Sequence, residues 1–162
     1  MSVILRNIEI KDNEALAKIV RTAFIEFNVP QEGTIFTEPE TDHLYQLFQF
    51  PGSTCFVAEE DGTVLGCCGI FPTAGLPNGC AELVKFYLSA AARGKGIGRL
   101  LMETCFDAAA KIGYTQLYLE SFPELSKAVS MYEKAGFNML PEQLGNSGHF
   151  ATTIWMMKDL AQ

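Results

Sequence analysis

Positive charge is what this chain has least of: twelve lysines and arginines stand against nineteen aspartates and glutamates, for a formal net charge of -7. That argues against a nucleic-acid or anionic-membrane protein, which needs a basic footprint to gain from counterion release. Long apolar runs are also missing, since nothing approaches the roughly 18 residues of a membrane-spanning helix. The opening Met-Ser-Val-Ile-Leu-Arg-Asn lacks the basic-then-apolar pattern of a secretory leader. The five cysteines, Cys55, Cys67, Cys68, Cys80 and Cys105, form an odd set without C-x-x-C spacing and sit in apolar runs. They read as buried reduced thiols, with neither a disulfide framework nor a metal site. Together these absences predict a soluble, cytoplasmic, unprocessed protein.

What is present is a chain of 162 residues, 48% hydrophobic and 19% charged, the size and composition of one mixed α/β domain spanning 1–162. Residues 3–10 alternate as a strand, and Asp12 is placed to cap a helix carrying Leu16, Ile19, Val20, Ala23, Phe24 and Phe27 on one stripe. Thr37 and Glu40 have capping-box spacing before a short helix with Leu44, Leu47 and Phe48. Strands at 54–60 and 63–71 are joined by Asp61-Gly62, the pair favoured in a type I′ hairpin turn. A strand at 80–89 runs into a glycine loop, which opens a helix over 97–112 that stops at Gly113. A strand at 116–120, a helix at 123–135 ended by Gly136, and strands at 137–140 and 150–157 complete a mixed sheet with helices on both faces.

The loop Arg93-Gly94-Lys95-Gly96-Ile97-Gly98 carries the chemistry. Backbone N–H groups at a helix start are unpaired donors, and glycines let a phosphate reach them. Walker A chemistry fails, because Gly96 follows Lys95 where Ser or Thr should bind magnesium. A dinucleotide fingerprint would need its third glycine at Arg99, with Glu120 imitating the ribose-binding acid; that reading, and a loop of structural turns only, stand as alternatives. Arg93, Lys95 and Arg99 concentrate positive charge here in an otherwise acidic chain, as a polyphosphate requires.

Arg93-x-x-Gly96-x-Gly98 between strand and helix resembles the pyrophosphate-binding signature of the GNAT superfamily of acyl-CoA-dependent N-acyltransferases. The run from Lys127 through Tyr132 to Gly136-Phe137 resembles that superfamily's downstream helix. The resemblance spans essentially the whole chain and implies a central, mostly antiparallel sheet of about seven strands flanked by four helices. It further implies acetyl-CoA as co-substrate, no metal, and direct transfer of an acetyl group to a primary amine of a small molecule or peptide in a ternary complex. Gly94, Ile97 and Arg99 then join Arg93, Lys95, Gly96 and Gly98 around the pyrophosphate, while the backbone of Phe86, Tyr87 and Leu88 holds the pantetheine arm. Tyr132 corresponds to the general acid that meets the sulfur. Glu82 is the candidate base: it lies eleven residues before Arg93, as the catalytic glutamate does in the histone-acetylating branch. On an extended strand it shares a face with Cys80, Val84 and Phe86, where burial would raise its pKa toward neutrality.

One departure is Leu125, where many members carry a cofactor-contacting asparagine; Ser121 or Ser126 is placed to substitute. His149, after the flexible Gly145-Asn-Ser-Gly148 run, is a candidate acceptor contact or second base. A non-catalytic acyl-CoA-binding module is the rival within the resemblance, and a dinucleotide-binding oxidoreductase the rival outside it. The resemblance leaves the oligomeric state open, with a homodimer through the last strands compatible with the superfamily's habit.

Overall fold

The Asp61-Gly62 pair turns the chain as its sequence predicts, with φ of 51° and 81°, the backbone of a type I′ turn. It joins β2 (Thr54–Glu60) to β3 (Thr63–Phe71), and β1 (Val3–Asn7) and β4 (Cys80–Leu88) pair antiparallel on either side. The remaining strands are β5 (Gln116–Ser121), β6 (Asn138–Met139) and β7 (Ile154–Asp159), in the order β1-β2-β3-β4-β5-β7-β6. The structure, a computed structural model, describes residues 2–160. Among these the sheet has seven strands and only β4 and β5 run parallel, as expected of two strands joined through a helix.

Four helices cover the sheet: α1 (Asn13–Glu26), α2 (Leu44–Leu47), α3 (Ile97–Ile112) and α4 (Ser126–Lys134). The stripe Leu16, Val20, Phe24 of α1 is buried, with Leu44 of α2 beside Leu16 against one face. Ile97, Leu101, Cys105 and Ala109 of α3 and Val129 and Tyr132 of α4 bury the other. All five cysteines are free and buried. Among the described residues no helix is long and apolar enough to cross a membrane, and no group of three or more His, Cys, Asp or Glu side chains is disposed to hold a metal ion.

The first strand ends at Asn7, short of the expected residue 10, because a 3-10 turn takes Ile10–Asp12, and local expectations differ from the structure in four further places. Asp12 precedes α1, but its carboxylate does not cap that helix; it is fully buried, accepts two hydrogen bonds from Arg6, at 2.8 and 2.9 Å, and accepts one from the Glu9 N–H at 2.7 Å that closes a capping box on the 3-10 turn Ile10–Asp12. A buried carboxylate turns to the cation within reach, and here the one amide it also accepts from lies before it in the chain, not in α1. Thr37 and Glu40 form no capping box; a 3-10 turn fills Pro39–Asp42, and the Tyr45 N–H at the start of α2 is capped by Asn13 Oδ1 at 2.8 Å. The last strand begins at Ile154, because Thr152 Oγ1 bonds back to the His149 carbonyl and the Thr153 N–H to that of Ser121.

The fourth difference matters to the site. In β4 the side-chain alternation breaks: Ala81, Leu83, Phe86 and Leu88 pack with α3 and α4, while Val84 and Tyr87 pack toward α1. Phe86 therefore does not share Glu82's face. The cause is a bulge opposite Cys68, where the register with β3 shifts and Lys85 takes a φ of 55°. One extra residue inverts every position after it.

Candidate active site

The parallel pairing of β4 with β5 stops after Cys80, Ala81 and Glu82, opposite Gln116, Leu117 and Tyr118. Beyond Glu82 the two strands part, while β4 stays bonded to β3 through Leu88. The β5-facing backbone edge from Leu83 to Leu88 thus has no strand partner and borders an open cleft. That cleft, of about 460 Å³, is lined by Phe86, Tyr87 and Leu88 from β4, by the glycine loop and first turn of α3, and by Leu125 to Ala128 and Met131 around α4.

Gly94 and Gly96 hold φ of 78° and 77°, and a Cβ added at either meets nothing within 4 Å. They are glycines for their left-handed backbone and for the open approach they leave. Gly96 is the N-cap of α3, so the N–H groups of Ile97, Gly98 and Arg99 have no intrahelical acceptor; the first helical bond is Leu100 N–H to the Gly96 carbonyl. This is an anion cradle at the positive end of a sixteen-residue helix. Gly98 serves packing instead: a Cβ there would lie 2.8 Å from Met131 and 3.0 Å from Phe86. A diphosphate with a flexible arm fits these donors and the unpaired strand edge that continues from them.

The basic side chains divide. Arg93 lines the cleft, but its guanidinium bonds Glu26 at 2.6 Å and the Leu88 carbonyl at 3.2 Å and lies 4.8 Å over the Phe27 ring. It clamps the loop to α1 more than it reaches outward. Arg99 lines the cleft and pairs with Glu103 at 2.9 Å; Lys95 is exposed outside the lining. Ser126 lines the cleft beside Leu125, whereas Ser121 is buried in the second cavity.

That second cavity, of about 70 Å³, shares Phe86, Tyr87 and Leu125 with the cleft. It brings together Glu82, His149 and Tyr132 from separate parts of the chain, with Lys85 and Glu120. Glu82 is 4% exposed and accepts a 2.6 Å hydrogen bond from Thr73 Oγ1. Burial, followed by the neighbouring Glu120 charge, pushes its carboxyl up to about 7, against the pull of the Thr73 bond. Tyr132 packs between Phe86 and Phe137, ring centroids 5.8 and 5.9 Å away at tilted and edge-on angles, and burial holds its phenol protonated far above neutrality.

His149 bonds Glu38 through Nε2 at 2.8 Å, with Nδ1 3.9 Å from Glu120. Burial pushes Glu38 up and the His149 bond pulls it down, leaving it below its usual value. Glu120 accepts from Tyr118, Gln143 and Ser147 at 2.7–2.8 Å. Sequence reasoning assigned no functional role to Glu38, Lys85 or Thr73, and considered Glu120 only for a ribose. For Glu120 a signal existed: alternation in Gln116–Ser121 puts it on the face of Tyr118, whose register partner is Glu82.

A sequence model of the family described as acetyltransferase (GNAT) family matches residues 18–137. The chain is 32% identical over 160 residues to the uncharacterized N-acetyltransferase YjgM of Escherichia coli (strain K12), covering 98% of this chain and 96% of that one. Among solved structures, a GNAT-family acetyltransferase from Staphylococcus aureus Mu50 superposes with a TM-score of 0.83 at 15% identity, covering 99% of this chain and 100% of that one. The yncA protein of Salmonella typhimurium, solved with its cofactor acetyl-CoA, superposes with a TM-score of 0.78 at 19% identity, covering 100% of this chain and 96% of that one. On sequence and fold together, the chain belongs to the acetyltransferase (GNAT) family.

Proposed function

We propose that this chain, acting as one catalytic domain, moves an acetyl group from acetyl-CoA directly to the primary amine of a small molecule or peptide. The observation that carries this reading is the meeting of the two cavities at Phe86, Tyr87 and Leu125. An anion cradle with an unpaired strand edge opens on one side, and a buried acid–base set on the other. Acetyl-CoA, where bound, supplies an acyl group already activated as a thioester; the similar structure from Salmonella typhimurium that holds it supports the same donor here.

In this reading the N–H groups of Ile97, Gly98 and Arg99, reached past Gly94 and Gly96, hold the pyrophosphate, with Arg93 fixing the loop and Lys95 and Arg99 adding charge from its rim. The β5-facing backbone of Phe86, Tyr87 and Leu88 orients the pantetheine arm and polarises the thioester carbonyl. Glu82, with its pKa about 7, takes a proton from the incoming ammonium, since only the neutral amine attacks. As the tetrahedral adduct collapses and the carbon–sulfur bond breaks, Tyr132 gives its proton to the departing sulfur and recovers one from the nitrogen that becomes the amide. His149 orients the acceptor side through Glu38 and Glu120.

Initial rates with acetyl-CoA and a panel of amines, followed by thiol release, test the proposal. Amine-dependent release with intersecting double-reciprocal lines is expected for direct transfer. Binding of acetyl-CoA with no release for any amine would make the chain a carrier or sensor, and stabilisation by NADH in its place would turn the cleft into a dinucleotide site.

A further inference from the structure

The acceptor cavity carries a cation that the acid–base chemistry does not use. Lys85 lines it, and its side chain is 6% exposed. The carboxyl and imidazole side chains of the lining are all hydrogen-bonded: Glu82 by Thr73, Glu120 by three donors, and His149 to Glu38. Lys85 Nζ has no such partner among the described residues; its nearest carboxylate oxygen, on Glu38, is 3.9 Å away, beyond hydrogen-bond length. Glu82 and Glu40 contribute only more distant charge. An ammonium enclosed this far, facing the cavity and with no hydrogen-bond partner in the chain, is open to an acceptor carried by a ligand.

The backbone supports a purpose for this placement. Lys85 is the bulged residue of β4 and holds a φ of 55°, a left-handed backbone that a long unbranched side chain adopts only at a cost. The Cys67 thiol bonds its carbonyl at 3.0 Å and helps hold the bulge. The same bulge directs Phe86 to the α3 face, so one local irregularity both shapes the donor cleft and sets a cation beside the acceptor.

We propose that Lys85 determines acceptor specificity by binding a carboxylate on the molecule whose amine is acetylated. The acceptor is then a small amino acid, with its amine toward Glu82 and its carboxylate on Lys85. A polyamine would set its second cation against Lys85, and an unsubstituted alkylamine would leave the ammonium unmatched. The cavity volume of about 70 Å³ suits a small molecule. This inference rests on the proposed acyl transfer, so its test reads binding and turnover separately.

The probes are free α- and ω-amino acids, each compared with its own carboxamide at equal concentrations of neutral amine, using wild type, Lys85→Met and Lys85→Arg. In wild type, kcat/KM is expected to favour the carboxylate by about 10- to 100-fold, the worth of one charge-assisted hydrogen bond. Lys85→Met should erase that ratio while leaving the KM for acetyl-CoA unchanged, and Lys85→Arg should restore part of it. Calorimetric titration of the amino acids into the CoA-saturated protein supplies the second readout. Lys85-dependent binding without turnover would overturn the transfer reading and leave the carboxylate site standing. Turnover with equal rates for acid and amide would keep the transfer and overturn this inference, and absence of both binding and turnover would overturn both. Should Lys85→Met fail to fold, the wild-type acid-to-amide ratio decides alone: a ratio near one removes the proposal.

Discussion

Replacing Glu82 with glutamine separates a base from a bystander through two effects of opposite sign. The carboxyl rises from an ordinary 4.5 to about 7, chiefly because burial disfavours its charge. The folded state therefore binds more protons than the unfolded chain between those values, and the stability held by the protonated form is lost as the pH rises through that window. At about 1.4 kcal/mol per pH unit, ionising Glu82 costs the fold about 3 kcal/mol. Glutamine carries no such charge, and its carbonyl can still accept from Thr73. Thermal unfolding from pH 5 to pH 9 should show Glu82→Gln gaining on wild type by about 3 kcal/mol, roughly 6–12 °C in Tm for a chain of this size. Activity should move the other way. Wild-type kcat/KM should climb through pH 7 as the carboxylate forms, and the variant should lose that limb with a fall of about 10²- to 10⁴-fold. An unchanged pH–rate profile in Glu82→Gln would refute the base assignment, and an unchanged pH dependence of stability would refute the buried, protonated carboxyl behind it.

Tyr132→Phe keeps the ring between Phe86 and Phe137 and removes only the hydroxyl, so kcat should fall by about 10²-fold with unfolding unaffected; equal turnover would reassign the proton donor. Gly96→Val puts a branched side chain at a left-handed residue facing open space, raising the KM for acetyl-CoA by at least about tenfold and costing about 1–2 kcal/mol of stability. Gly98→Ala sets a Cβ against Met131, Phe86 and Leu88, an overpacking expected to cost about 1–3 kcal/mol in denaturant unfolding. Asp12→Asn should cost about 2–3 kcal/mol, because Glu59 still pairs with the Arg6 it abandons. Arg6, against the cost of burial, holds Asp12 below its usual 3.8, so its contribution is present above that pH and lost as the pH falls through the folded value; acid unfolding of the variant should be correspondingly flatter.

The parts of this molecule that could be read from sequence are those whose cause is local. Asp61-Gly62 prefers positive φ by its own chemistry, and the α1 and α3 stripes repeat because a helix repeats. The glycine loop is legible for the same reason, since its donors are consecutive backbone groups and its glycines announce the required φ. Asp12 was misleading because its charge partner comes from β1 and its cap serves the turn before α1, not α1 itself. The bulge at Lys85 left no mark at all: the residue occupying a left-handed position is not glycine, asparagine or aspartate, so nothing in the sequence marks the inversion that follows.

The two halves of the site differ in the same way, with a consequence for how such a family varies. The donor half is backbone: free N–H groups, an unpaired strand edge and glycines that keep both accessible, none of which depends on more than a few side-chain identities. The acceptor half is side chains drawn from separate segments: Glu38 before α2, Glu82 and Lys85 on β4, Glu120 on β5, and His149 before β7. A substitution at any one of these changes the charge an acceptor meets without disturbing the cradle. Exchanging the charge at position 85 alone should therefore alter which amine is used while acetyl-CoA binds as before. That holds only if the bulge survives the change, and the acid-to-amide ratio beside the KM for acetyl-CoA distinguishes the two outcomes.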